Sequence, residues 1–316
     1  MDNTKFTPRK LLTPGIVLLI FALLVTFPLY TSGYNIVLLA AILMYVVLTV
    51  SWTMFSGPTG YISLAPAAFF GVGIYTAAVL GHSLPLLAMV GAAGLVCFIL
   101  ALGVGTITLR LKGVYFAIFT FGLVVLLKEL LLFWEIVVTK TRGRFVVLET
   151  NDTIFYVMLG IFVATMLTTY FIRRSRLGLA LVSIGENEEA AAHIGINVTW
   201  LKVLIFAISS IFMGMTGAIM ATRWTYVDPY VAFNPLFSFL PVLMAIFGGL
   251  GKFYGPVIGA AIFAYTEELL LTKFPYYYML TFGIILILVI LYMPDGLAGF
   301  IEKWRKGGWR RKRAST

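Results

Sequence analysis

A polytopic all-α membrane bundle is the fold class this sequence predicts, and three observations predict it. The chain is 61% hydrophobic with only 11% charged residues, and its mean hydropathy of +1.00 lies outside the soluble globular range. Its apolar residues gather in repeated runs of about 18 or more, the length that carries a helix across a ~30 Å hydrocarbon core. Those runs are continuous rather than alternating, which disfavours a β-barrel. Residues 1–316 are therefore expected to form a single transmembrane domain with little left for a soluble module.

About ten segments follow in order. The first, near Pro14–Thr31, comes after Lys5, Arg9 and Lys10 and has no clear small-residue cleavage site, so it reads as a retained span. The next four lie near Tyr34–Phe55, Leu64–Leu80, Leu84–Thr108 and Gly113–Trp134. The remaining five lie near Thr153–Ile172, Leu201–Thr222, Pro235–Leu250, Gly255–Thr272 and Tyr276–Met293. The count falls to nine or eight if a short segment is re-entrant. With N and C termini both cytoplasmic, Arg110, Lys112, Arg173, Arg174, Arg176 and Lys252 share the cytoplasmic side, as the lysine/arginine bias requires. Lys140, Arg142 and Arg144, in the outer loop Glu135–Asp152, dissent. The net charge of +10 is concentrated in the tail, residues 302–316, through Lys303, Arg305, Lys306, Arg310, Arg311, Lys312 and Arg313. A cytoplasmic basic tail is matched to anionic membrane lipid, and no nucleic-acid partner is needed to explain it.

Two segments read as discontinuous, near residues 56–66 and 235–252. Ser56-Gly57-Pro58-Thr59-Gly60 interrupts the second block, and Pro235 and Pro241 frame a block too short for a full crossing that ends in Phe247-Gly248-Gly249-Leu250-Gly251-Lys252. Non-helical backbone at membrane depth survives only where protein buries it or water reaches it. Such Gly/Pro-interrupted segments point to a translocation path, for which Gly60, Ser63, Ala68, Gly71, Gly73, Gly248 and Gly249 are the candidates. Turn punctuation between spans is the competing reading. The pairs Gly71/Gly73, Gly91/Gly94, Gly103/Gly105 and Gly214/Gly217 are spaced to let helix backbones approach closely.

Catalytic chemistry is not encoded. No phosphate-binding G-x-x-x-x-G-K-[ST] occurs, since Phe253 follows Gly251-Lys252 and Ile246 stands at the first glycine. His82 and His193 have no metal-ligand spacing around them, and no serine sits in a nucleophile elbow. The lone Cys97 excludes an internal disulfide. Lys128 and Glu129 point about 100° apart on a helix and, like Glu267 and Glu268, lie toward the outer end of a span. No carboxylate or histidine at mid-span marks a proton-coupled carrier.

The charge anomaly is the stretch 173–200, where Glu186, Glu188 and Glu189 crowd into four positions of a chain with only 13 acidic residues. On one helix Glu186, Glu189, Ala190 and His193 would share a face at i, i+3, i+4 and i+7. Gly195 would end that helix. A cytoplasmic helix of this kind presents a small-residue ridge flanked by carboxylates to a soluble partner.

Glu189-Ala190-Ala191-Ala192-His193-Ile194-Gly195 reads E-A-A-x-x-x-G and resembles the loop by which ABC-importer permeases dock into their ATPase subunits. Other blocks look like the LivM-type permease subunit of branched-chain amino acid importers. Gly60-Tyr-Ile-Ser-Leu with Ala68-Phe-Phe-Gly-Val-Gly-Ile-Tyr75 is similar to G-x-x-S-L-G-x-A-x-F-F-G-I-G-A-Y, and Leu109 to Ile118 to R-G-x-Y-x-A-I. The run from Arg176 through Gly185-Glu-Asn-Glu-x-Ala-Ala to Gly195-Ile-Asn197 resembles G-R-A-x-x-A-I-R-E-N-E-x-A-A-x-x-x-G-I-N. Gly248-Gly-Leu-Gly, Tyr254-Gly-Pro-Val-Ile-Gly259 and Pro294-Asp-Gly-Leu297 complete a set that spans most of residues 57–297 in order. Three departures stand out: Ala65-Pro66 replaces Gly-His or Gly-Gln, Gly185 replaces an arginine, and Thr139 to Arg144 replaces a T-G-G-x-x-G loop.

The resemblance implies a non-catalytic permease subunit in a prokaryotic cytoplasmic membrane, with a homologous second permease, two ATP-binding cassette subunits and an extracytoplasmic substrate-binding protein. It implies no cofactor in this chain, with ATP and Mg held by the partner subunits, and branched-chain or other hydrophobic amino acids as cargo. Glu186, Asn187, Glu188, Glu189, Ala190, Ala191, His193 and Gly195 become the expected coupling residues. Urea, short amides or a sugar carried by the same machinery is the alternative within the class. An ATP-independent secondary carrier is the alternative outside it.

Overall fold

In chain order the helices are α1 (Gly33–Thr59), α2 (Pro66–Leu80), α3 (Leu86–Thr108), α4 (Val114–Trp134), α5 (Asn151–Arg174), α6 (Arg176–Glu186), α7 (Glu188–His193), α8 (Val198–Ala221), α9 (Pro229–Ala232), α10 (Leu236–Gly248) and α11 (Gly255–Lys273). This computed structural model describes residues 22–31 and 33–274, with 276, 277, 280, 283, 284 and 299. The start of the first expected span, most of the last, the Pro294–Leu297 motif and the basic tail lie outside the described residues. Among the described residues, six helical stretches are long and apolar enough to cross a membrane: α1, α3, α4 with the π turn Glu135–Thr139, α5, α8, and α9 with α10. The chain is therefore an all-α polytopic membrane protein. α2 is a shorter apolar helix.

α8 forms the axis. Some 78% of its apolar window is buried, against 22% for α4, which lines the periphery. In lipid, apolar residues gain little by contacting each other rather than acyl chains, so small residues and polar bridges decide which helices pack. A Cβ on Gly73 of α2 would collide with the Gly214 carbonyl of α8, and one on Gly217 of α8 with the Phe70 carbonyl of α2. The backbones thus cross almost in contact. Cys97 of α3 donates to Phe69 O at 3.3 Å and Ser210 of α8 to Cys97 O at 3.0 Å, tying three helices together. By contrast Gly91 and Gly103 face open space, so spacing alone does not identify a packing glycine.

The first expected interruption sits later than the sequence indicates. α1 continues through Ser56-Gly57-Pro58 to Thr59. Pro58 falls in the last turn, where the lost N–H costs one bond and no further turn has to form above it. The helix stops at Gly60, whose φ of +72° leaves the helical region. Residues 60–65 then run non-helically back into the bundle, and the bundle satisfies their backbone. Trp52 Nε1 donates to Ser63 O at 2.7 Å, Leu64 N to Thr120 Oγ1 at 2.9 Å, and Ser238 Oγ to Leu64 O at 2.8 Å. Ala67 N donates to the same Ser238 Oγ at 3.1 Å. The short helices α2 and α10 therefore start beside each other, joined through one buried serine.

α10 holds 13 residues, about 20 Å as a helix, and carries Pro241 within it. It stops at Gly249, φ +93°, and α11 folds back over it where Gly248, Gly255 and Gly259 leave no room for side chains.

At the end of the bundle away from α6 and α7, Arg144–Phe145 pairs antiparallel with Tyr226–Val227. Glu135 is fully buried there and accepts from Tyr75 OH at 3.1 Å and Gly143 N at 2.8 Å. Lys128 and Arg142 both stack over the Tyr230 ring, at 5.0 and 5.2 Å, and Arg144 over Trp134 at 4.8 Å. Two of the dissenting cations of this loop, Arg142 and Arg144, are thus held against aromatic rings in a folded cap.

Candidate coupling site

The stretch 173–200 folds into two helices rather than one. Ser175, with extended backbone, separates α5 from α6, and Asn187 at φ −157° separates α6 from α7. The Asn187 side chain accepts from Glu189 N and Ala190 N, both at 3.0 Å, and so caps α7. A short amide that satisfies two backbone donors outcompetes helix continuation at this position. Glu186 consequently ends α6 while Glu189, Ala190 and His193 belong to α7. The shared i to i+7 face expected from the sequence does not form.

α6 is amphipathic at helical spacing, with Gly178, Leu181 and Ile184 buried and Leu177, Leu179, Val182 and Glu186 exposed. Its last turn rests on the end of α1 so closely that a Cβ on Gly185 would meet the Pro58 carbonyl. That contact with α1 leaves no room for a side chain at Gly185. α7 ends in paired bonds from Ile196 N to Ala191 O at 3.1 Å and Gly195 N to Ala192 O at 3.0 Å, with Gly195 at φ +90°. This is the Schellman termination that glycine favours.

The exposed surface of this unit includes Glu186, Glu189, Ala190, His193 and Gly195 together with Leu179, Val182 and Ile194. Leu179 is 69% and Ile194 74% exposed. Ala191 packs inward.

Glu188 turns inward. Its Oε1 accepts from Lys202 Nζ at 2.8 Å, and its Oε2 accepts from Tyr61 OH at 2.7 Å. Lys202, at 1% exposure one of the most buried large side chains, also donates to Leu109 O and Tyr61 OH, each at 3.2 Å. Its ammonium lies 4.5 Å from the Tyr61 ring centroid. Burial by itself would raise the Glu188 carboxyl, but the hydrogen bonds from Lys202 and Tyr61 and the charges of Lys202 and Lys112 outweigh it and hold the group below the usual carboxylate range. Glu188 is therefore charged at neutral pH. Burial and the neighbouring Glu188 carboxylate push the Tyr61 phenol up, so it stays protonated and donates.

Sequence reasoning missed Lys202, which looks like a flanking cation at the start of an apolar run. The available signal was its register: Val198, Leu201, Lys202 and Ile205 share the inward face of α8.

The residues expected along a path fall in two groups. Ser63 is buried beside Trp52, Ala68 is buried next to Ala67, whose N–H donates to Ser238, Gly71 abuts Phe233, and Gly73 abuts Gly214. Gly248 packs against α11 instead, and Gly249 is the turn residue after α10. The two interruptions meet at the end of the bundle that carries α6 and α7, where a cavity of 510 Å³ is lined by Gly57, Gly60, Arg173, Gly185, Glu186 and Leu250 among others. Arg173 donates to Leu250 O across it at 3.5 Å.

Residues 34–290 match the family model of the branched-chain amino acid transport system permease component. The permease protein LivM of the high-affinity branched-chain amino acid transport system of Salmonella typhimurium is 25% identical, over 86% of this chain and 72% of its own. BraD of Pseudomonas aeruginosa, named for the same system, is 26% identical over 81% of this chain and 91% of its own. LivH of Salmonella typhimurium is 31% identical over 140 residues, 44% of each chain. The chain belongs to the family of permease components of branched-chain amino acid transport systems.

Proposed function

We propose that this chain is the LivM-type subunit of a prokaryotic ABC importer in the cytoplasmic membrane, providing part of the translocation path for branched-chain or other hydrophobic amino acids. Its working partners are a homologous second permease, two ATP-binding cassette subunits that hold ATP and Mg, and an extracytoplasmic binding protein. The chain itself transmits motion and does not hydrolyse ATP.

The observation that carries this reading is the surface of α6 and α7. Leu179, Val182 and Ile194 stand exposed beside Glu186 and Glu189 on helices whose other faces are fixed to α1 and α8. Apolar side chains exposed outside the bilayer on a rigid support fit a protein partner better than water. The carboxylates add selectivity for a basic groove. Similarity to both LivM and LivH is consistent with a pair of related permeases. The segments at 60–65 and 249–254 are proposed to border the path, with Gly60, Ser63, Ala68, Gly71, Gly73, Gly248 and Gly249 on or next to it.

Leu179→Asp is expected to leave the chain in the membrane and to cut co-purification of the ATPase subunits by at least about tenfold, the loss expected from charging an apolar contact at an interface centre. Undiminished retention of those subunits would remove the docking reading.

A further inference from the structure

Resting on that docking reading, we propose that Lys202 is a positioning residue through which movement of α7 reaches the re-entrant segment 60–65. One buried ammonium bonds three separate elements: Glu188 of α7 at 2.8 Å, Tyr61 of the segment at 3.2 Å, and Leu109 O at the end of α3 at 3.2 Å. The bond from Tyr61 OH to Glu188 Oε2 at 2.7 Å closes the triangle, so the segment is attached to α7 both directly and through Lys202.

The chemistry makes this a connection rather than a passive contact. Lys202 is 1% exposed in an apolar helix, where an ammonium is tolerated only while paired. If Glu188 moves outward with α7, Lys202 and Tyr61 lose their charged partner inside the protein. The arrangement in which Tyr61 follows Glu188 is favoured over the one in which the triangle opens.

The rest of the geometry directs that motion. α7 is a six-residue body delimited by two amide caps, Asn187 before it and Asn197 at the start of α8. Such a body can tilt on its ends without unwinding its neighbours. Beyond Tyr61, the segment is tied by Ser63 O to Trp52, by Leu64 N to Thr120, and by Leu64 O to Ser238. These three residues sit on α1, α4 and α10. A displacement of Tyr61 therefore arrives where the short helices α2 and α10 begin. The Lys128–Glu129 ion pair is more exposed and joins neighbours on one helix, so it can transmit nothing of this kind.

The experiment uses the whole importer, reconstituted with its partners in liposomes, comparing wild type with Lys202→Met, Lys202→Arg and Tyr61→Phe. For each, retained ATPase subunits, ATP hydrolysed and amino acid taken up are measured. Lys202→Met is expected to keep the ATPase subunits and their hydrolysis while uptake per ATP falls by roughly tenfold, within the range of known coupling changes. Tyr61→Phe should lower the same ratio by a smaller factor, and Lys202→Arg should restore most of it. An unchanged ratio in Lys202→Met would overturn the relay while leaving docking intact. Loss of the ATPase subunits, or hydrolysis and uptake falling together, would show Lys202 to be a local brace and also overturn it. Retention of the ATPase subunits by Leu179→Asp would remove the docking reading, and the relay from α7 with it.

Discussion

Leucine at Gly73 is expected to eliminate transport and to lower the yield of folded protein, because α2 and α8 cross there with backbone against backbone. A Cβ at this position collides with the Gly214 carbonyl, an atom that cannot rotate away. The substitution must push two helices apart along a contact that Gly217 and the Phe70 carbonyl continue one turn on. Overpacking of a tight interior costs about 1–3 kcal/mol and more where backbone has to shift. Gly91→Leu on α3 is the matched control, since nothing lies within 4 Å of its added Cβ. It should express and transport like the parent. Detergent-extracted yield, thermal unfolding and reconstituted uptake separate the outcomes. A Gly73→Leu chain that folds normally but does not transport would place Gly73 on the path rather than in a packing contact.

Proline at Gly195 is the second large effect. Gly195 has φ +90° and donates its N–H to Ala192 O. Proline is fixed near −65° and has no N–H, so the termination of α7 cannot form and the connection to α8 must change course. Ile194, exposed beside it, loses its orientation. ATP-driven uptake should fall by more than about tenfold, a larger loss than the ~1 kcal/mol of an ordinary helix cap, while the transmembrane bundle and membrane yield persist. Glu189→Arg tests the same surface without touching the backbone. Its side chain is exposed, so folding should be unaffected and uptake should drop several-fold through charge repulsion alone. Normal ATP-driven uptake by both variants would contradict the coupling assignment.

Much of the bundle was legible because its signal is local. Continuous apolar runs predict helices residue by residue, and α3, α4, α5, α8 and α11 lie close to the expected bounds. Helix ends written in special backbone were also legible: Gly195 stops α7 as its residue type requires. Other features depend on side chains meeting across the fold. Pro58 reads as a breaker, yet its place in a last turn lets α1 continue past it. Glu186 reads as sharing a helical face with Glu189, Ala190 and His193, yet the Asn187 side chain caps a new helix between them. Glu188 and Glu189 are neighbours in a charged run, but one faces Lys202 inside and the other faces solvent. Lys202 itself gains meaning only from Tyr61, Leu109 and Glu188, which come from three distant places in the chain. Spacing of glycines likewise could not separate Gly73, in contact with α8, from Gly91, in open space.

Whether this chain works as a coupled subunit or as a carrier in its own right is decided by uptake into proteoliposomes. The purified chain alone is expected to show no branched-chain amino acid uptake under proton or sodium gradients. Uptake should appear when the second permease, the ATP-binding subunits, the binding protein and Mg-ATP are all present. Gradient-driven uptake by the chain alone, with no ATPase in the vesicles, would contradict the importer reading.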